Sequence, residues 1–140
     1  MTVGILSRLR DRDLVPAADR AVLAGEGVVV DEKNVSVTVR FQNFRAPGRI
    51  HRGRVTRFRT ALVVTEQRVV VFMGRDRLLD APFASPASRD ALTLAATADG
   101  LDLTFDPAAF HTDRSGEVRV LARVADPQRV LAELRGRLPA

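Results

Sequence analysis

A hydropathy pattern with a period of two recurs in short blocks along most of this chain, and it constrains the fold more than any other feature. Val35, Val37, Val39 and Phe41 alternate with Ser36, Thr38, Arg40 and Gln42. Leu101, Leu103 and Phe105 alternate with Asp102, Thr104 and Asp106, and Val118, Val120, Ala122 and Val124 form a third such row. Successive strand residues face opposite sides, so each block reads as a strand with one face buried. Between the blocks lie turn signals. Pro47-Gly48 supplies a fixed φ followed by a positive one and folds residues 45–49 back on themselves. A second strand then covers about residues 54–64, with Phe58, Leu62 and Val64 on one face and Arg57 and Arg59 on the other.

Residues 65–68 turn the chain into an apolar strand at 69–73, and Gly74-Arg75-Asp76 turns it again into a strand at 77–83. Pro82, Ser85, Pro86 and Ser88 bound a loop, a weak strand follows at 91–96, and Ala98-Asp99-Gly100 is a hairpin signal. The period shifts to that of a helix only near the ends. Leu14, Val15, Ala18, Val22 and Leu23 fit one apolar stripe, with Pro16 at the first helical position and Gly25 and Gly27 as stops. Asp126 and Pro127 are start signals for a last helix with Val130, Leu131, Leu134 and Leu138 on one face.

The expected fold is therefore mainly β: about seven antiparallel strands in a bent barrel or sandwich, a helix before it and a helix closing its open end. At 140 residues the chain has the length of one domain. The expected division is an N-terminal helical segment at 1–24 and the β domain at 25–140.

Composition removes several chemistries. The chain has no Cys, which excludes disulfides, cysteine zinc sites, iron–sulfur clusters and thiol catalysis. His51 and His111 are its only histidines, too few for a three-histidine metal site. His111 has Asp106 and Asp113 nearby in sequence, but a polar loop between strands accounts for all three. No phosphate-cradling glycine loop, nucleophile elbow or H-E-x-x-H occurs. Glu26 and Glu66 would make an acid–base pair only if folding brought them together. The expectation is a protein without catalysis, cofactor or metal. Residues 1–14 lack the order of a secretory signal and no aliphatic run approaches a membrane span, so the expected location is cytoplasmic, with peripheral contact at the inner face of the membrane.

Charge is concentrated. The net charge is +5, yet residues 33–65 hold Lys33 and seven Arg and no acidic residue, whereas the other 107 residues carry a net −3. On the strand reading, Arg40, Arg57 and Arg59 lie on the non-core face of the first hairpin, and Arg45, Arg49, His51 and Arg52 crowd its loop beside Arg54. Guanidinium forks converging on one edge bind phosphate or carboxylate bidentately. Nucleic acid is disfavoured because single strands require aromatic platforms. Phe41 and Phe58 belong to the core rows, which leaves Phe44 as the one aromatic for the surface. At the N-terminus, Ile5, Leu6 and Leu9 with Arg8, Arg10 and Arg12 suggest a helix packing on the barrel or on a sister subunit.

Gly25-Glu26-Gly27 leading into a strand, followed by residues 61–72 (ALVVTEQRVVVF), resembles the bacterial pleckstrin-homology-like and GRAM-like domains. Residues 78–82 (LLDAP) are similar to their next strand and residues 126–138 to their closing helix, so the resemblance spans about 25–138. It implies a binding or adaptor domain in which the loop between the first two strands takes phosphoinositide headgroups. Arg45, Arg49, Arg52 and Arg54 stand in the matching hairpin, and Arg52-Gly53-Arg54 is similar to the basic-x-basic end of that pattern. The implied partner is an anionic lipid headgroup or an acidic protein surface. A protein-interaction or self-assembly module, forming homo-oligomers as some bacterial relatives do, is the alternative.

Overall fold

Seven strands form one antiparallel sheet in the order β4-β3-β2-β1-β7-β6-β5. They are β1 (Val28–Ala46), β2 (Arg49–Thr65), β3 (Arg68–Met73), β4 (Asp76–Pro82), β5 (Leu92–Thr97), β6 (Gly100–Phe105) and β7 (Ser115–Ala122). Helix α1 (Ala17–Gly25) precedes them, α2 (Pro86–Ala91) joins β4 to β5, and α3 (Pro127–Arg137) closes the chain. The computed structural model describes residues 12–138, with the backbone alone at Arg49, His51 and Arg52. The reading of residues 1–11 as a docking helix lies outside the described residues.

The sheet curls into a half-barrel because every strand contributes apolar residues to its inner face. Val35, Val37, Val39 and Phe41 of β1, Leu62 and Val64 of β2, Val69 and Val71 of β3, Leu101 and Leu103 of β6, and Val118 and Val120 of β7 share one core. Val130, Leu131 and Leu134 of α3 close that core, and Leu138 packs against it. The Asp126 carboxylate caps α3 by accepting the Arg129 N–H at 3.1 Å. At the other end of α3, Arg137 donates to Glu66 of the β2–β3 turn at 3.0 Å, which ties the helix across the sheet.

The outer face has a second, smaller core that the sequence periodicity does not announce. Ala61 and Val63 of β2 and Val70 and Phe72 of β3 are covered by Val15 and Leu23, so residues 61–64 are buried on both sides. Helix α1 supplies only part of its expected stripe. Pro16 sits at the N-cap rather than inside the helix, and Val22 is 56% exposed because the helix docks through Leu23. A chain of ions holds α1 in place: Arg77 donates to Asp19 and to Asp80 (2.6 Å), while Arg68 joins Asp80 (3.2 Å) to Glu26 (3.0 Å).

Two further corrections concern turns. The loop at 83–91 contains the short helix α2, begun by Pro86 after Ser85, and β5 starts after it at Leu92. In the β5–β6 hairpin Thr97 pairs with Gly100, so Ala98 and Asp99 form the turn and Gly100 belongs to the strand. Glycine is needed there for a different reason. Its φ is +149°, and a Cβ would collide with the Ala122 carbonyl of β7.

Candidate anion-binding hairpin

The basic segment forms the β1–β2 hairpin, and its loop is shorter than the sequence suggests. Ala46 pairs with Arg49, so Pro47-Gly48 alone makes the turn, with Gly48 at φ +72°. Strand β2 thus begins at Arg49 rather than near residue 54, and Arg45, Arg49, His51 and Arg52 belong to strands. On its far side β2 pairs with β3 only through Leu62, Val63 and Val64. Residues 49–59 therefore form one side of an arm that projects beyond β3 and β4, while β1 is backed by β7 from Val37 to Arg45.

Register divides the candidate residues between two faces, because directly paired residues of an antiparallel ladder share a face. Ser36 pairs with Arg59, Thr38 with Arg57 and Arg40 with Val55, opposite in facing to buried Val37, Val39 and Phe41. Arg40, Arg57 and Arg59 therefore share the outer face, as the alternation predicts. Arg54 pairs with Phe41 and so stands on the inner face, apart from those three. Past Asn43, whose φ is +50°, the alternation changes phase, and Phe44 turns inward. Arg45 and its partner Ile50 are then exposed, Ile50 by 72%. Val55, opposite Arg40, is 51% exposed.

The phase change also corrects the expectation for Phe44. It is 7% exposed and packs edge-on against Phe41, with ring centroids 5.0 Å apart. The basic segment thus offers no aromatic platform for stacked bases among the described residues.

The electrostatics of the segment differ from those of the remainder. Every ion pair among the described residues uses an arginine outside residues 33–65: Arg20, Arg68, Arg77, Arg89, Arg114, Arg119 or Arg137. Within the segment, Arg59 is held by Asn34, donating to its side-chain oxygen at 2.5 Å and its backbone carbonyl at 3.0 Å. Arg40, Arg45, Arg54 and Arg57 have no ion pair among the described residues. On the outer face Glu117, paired with Gln42 across β1 and β7, stands beside Arg40 without an ion pair among the described residues, whereas Asp102 is engaged. Asp102, 8% exposed on the outer face, accepts from Arg119 at 2.6 Å, and that bond raises the Arg119 pKa further.

The inner face opens at the same end of the sheet into a cavity of about 370 Å³. Phe41, Phe44, Met73 and Leu78 line it with Arg54, Asp76, Asp113 and Arg114. A shallower groove beside it is bordered by Arg45 and by His111, whose Nε2 is buried with no hydrogen-bond partner among the described residues. Sequence reasoning missed this cavity because its charged lining comes from three separated turns and strands.

The residues weighed for catalysis are held elsewhere. Glu26 accepts from the Thr65 hydroxyl and Arg68, both at 3.0 Å, and Glu66 pairs with Arg137. Asp106 accepts the Ala108 N–H at 2.8 Å, and Asp113 lies 3.6 Å from Arg114, so neither joins His111. No group of three metal-ligating side chains is gathered among the described residues. No helix among them is long and apolar enough to cross a membrane. The chain matches no known protein family, and no curated protein shows significant sequence similarity to it.

Proposed function

We propose that this protein is a non-catalytic binding domain that docks on an anionic membrane surface through the outer face of its β1–β2 arm. The observation that carries this reading is the coincidence, on one projecting arm, of Arg40, Arg45 and Arg57, which have no ion pair among the described residues, with exposed Ile50 and Val55. Unpaired guanidinium groups are attracted to phosphate headgroups, and exposed aliphatic side chains gain from entering the headgroup–acyl boundary. Arg49 and Arg52 lie along the same arm and add to its positive charge. The pleckstrin-homology-like resemblance supports the same direction, because it places the ligand at this hairpin.

Sedimentation with vesicles tests the reading. The protein is expected to pellet with vesicles containing phosphatidylglycerol, to stay in solution with phosphatidylcholine alone, and to be released by high salt. Equal binding to both vesicle types, or binding unmoved by salt, overturns it.

A second reading, self-assembly, has one observation in its favour: among the described residues β4 and β5 end the sheet as unpaired edges. A concentration-independent monomer in light scattering excludes it.

A further inference from the structure

Two charged residues, both exposed at the mouth, stand on the inner face of the sheet at the open end of the half-barrel. Arg54 pairs with Phe41 across β1 and β2, and Asp76 pairs with Met73 across β3 and β4. Phe41 belongs to the main core and Met73 packs against it. Toward the mouth, the inner row of β2 runs Val64, Leu62, Thr60, Phe58, Thr56, Arg54, from apolar to charged. Both Arg54 and Asp76 line the 370 Å³ cavity, and neither has an ion pair among the described residues. The other two charges of the lining, Asp113 and Arg114, face each other at 3.6 Å.

Charged residues on the inner face break the pattern that builds the sheet, and such breaks mark functional sites. The volume is that of a small-molecule site, and Phe44 and Leu78 give it an apolar wall. The two unpaired charges narrow the chemistry. A ligand with only an acid group is drawn to Arg54 and repelled by Asp76, and one with only an ammonium meets the reverse. A ligand carrying both satisfies both.

We propose that the cavity binds a small zwitterion with an apolar body: its acid group on Arg54, its primary ammonium on Asp76, and its hydrocarbon or aryl part against Phe44 and Leu78. Free α-amino acids with large apolar side chains have this chemistry, and so does an ethanolamine-phosphate headgroup with the first part of its chain. The site is on the opposite face from the membrane-docking surface and does not depend on that reading.

A matched series of ligands tests the proposal by isothermal titration calorimetry: L-phenylalanine, 3-phenylpropanoate, which lacks the ammonium, and 2-phenylethylamine, which lacks the acid. Phenylalanine is expected to bind one site per chain, about tenfold more tightly than either analogue, as expected for one charged hydrogen bond. In Asp76→Asn, 3-phenylpropanoate should bind as well as phenylalanine. In Arg54→Leu, 2-phenylethylamine should do so, while Arg54→Lys keeps the wild-type order. Dihexanoyl phosphatidylethanolamine, below its micelle concentration, separates the two sources in parallel: tighter binding than phenylalanine assigns the lipid head, weaker binding the free amino acid. Absence of binding by both zwitterions, or a ranking unmoved by Asp76→Asn and Arg54→Leu in proteins with native circular dichroism, overturns the proposal. Vesicle sedimentation of Arg54→Leu should match wild type, so either reading can fail without the other.

Discussion

Arg40 on β1 and Arg119 on β7 stand directly opposite each other on the outer face of the sheet. Like charges in directly opposed positions destabilise a ladder. Here the repulsion is relieved on one side, because Asp102 on β6 accepts both the Nε and an Nη of Arg119. Asp102→Asn should therefore lower Tm, and adding Arg40→Gln should recover much of the loss. A double-mutant cycle by thermal denaturation checks the coupling; strictly additive effects would show that Asp102 does not relieve a cost at Arg40.

Gly100 and Gly136 predict opposite responses to alanine. At Gly100 the backbone is at φ +149° and a Cβ meets the Ala122 carbonyl, so Gly100→Ala should cost about 2 kcal/mol or more. Gly136 lies within α3 with open space where its Cβ would be, so Gly136→Ala should stabilise by about 0.5–1 kcal/mol. Urea denaturation measures both.

Leu23 is the fully buried anchor of α1 in the outer core. Leu23→Ala should cost about 2–5 kcal/mol. The loss should be local: amide exchange should quicken in α1 and in the outer-core residues of β2 and β3, while β6 and β7 keep their protection. Uniform loss of protection would show that α1 is integral to the main core.

Asp13 predicts how acid acts on the same helix. Its carboxylate accepts from Arg20 at 2.7 and 3.0 Å and from the Val15 N–H at 3.0 Å, and the Arg20 hydrogen bond chiefly holds its pKa below the usual 3.8. A carboxyl with a depressed folded-state pKa contributes stability that is complete above its unfolded value and is lost as pH falls through the folded one. Docking of the 12–25 segment should therefore weaken below about pH 4, and Asp13→Asn should remove that part of the acid dependence. Carboxyl NMR titration and amide exchange in α1 report both effects.

The inner rows of β1, β6 and β7 were legible in the sequence because apolar and polar residues alternate along each, even in β6, where the polar Asp102 is itself buried. Helix α3 was legible because its cap, its proline and its apolar face agree. Residues 61–64 hide their structure for the opposite reason: they are apolar on both faces, and only the docking of Leu23 and Val15 explains why. The candidate hairpin shows the same limit. Its charge is plain in the sequence, but the face on which each arginine falls depends on register. Thus Arg54 falls on the inner face opposite Phe41, exposed at the open end, and the turn in phase at Asn43 buries Phe44. The cavity lined by Arg54 and Asp76 requires β2 and β4 to meet around an open end, and no local pattern encodes that meeting.

The central claim is that the arm's outer face, rather than the protein's net charge, binds anionic membranes. The most direct test is the partition coefficient into phosphatidylglycerol-containing vesicles of Arg40→Glu/Arg57→Glu, beside Arg129→Glu/Arg135→Glu, which makes the same charge change at exposed positions of α3. At about 1 kcal/mol per cation near the surface, the hairpin variant should lose more than about thirtyfold and the helix variant far less. Equal losses in the two variants, or no loss in the hairpin variant, would contradict the account.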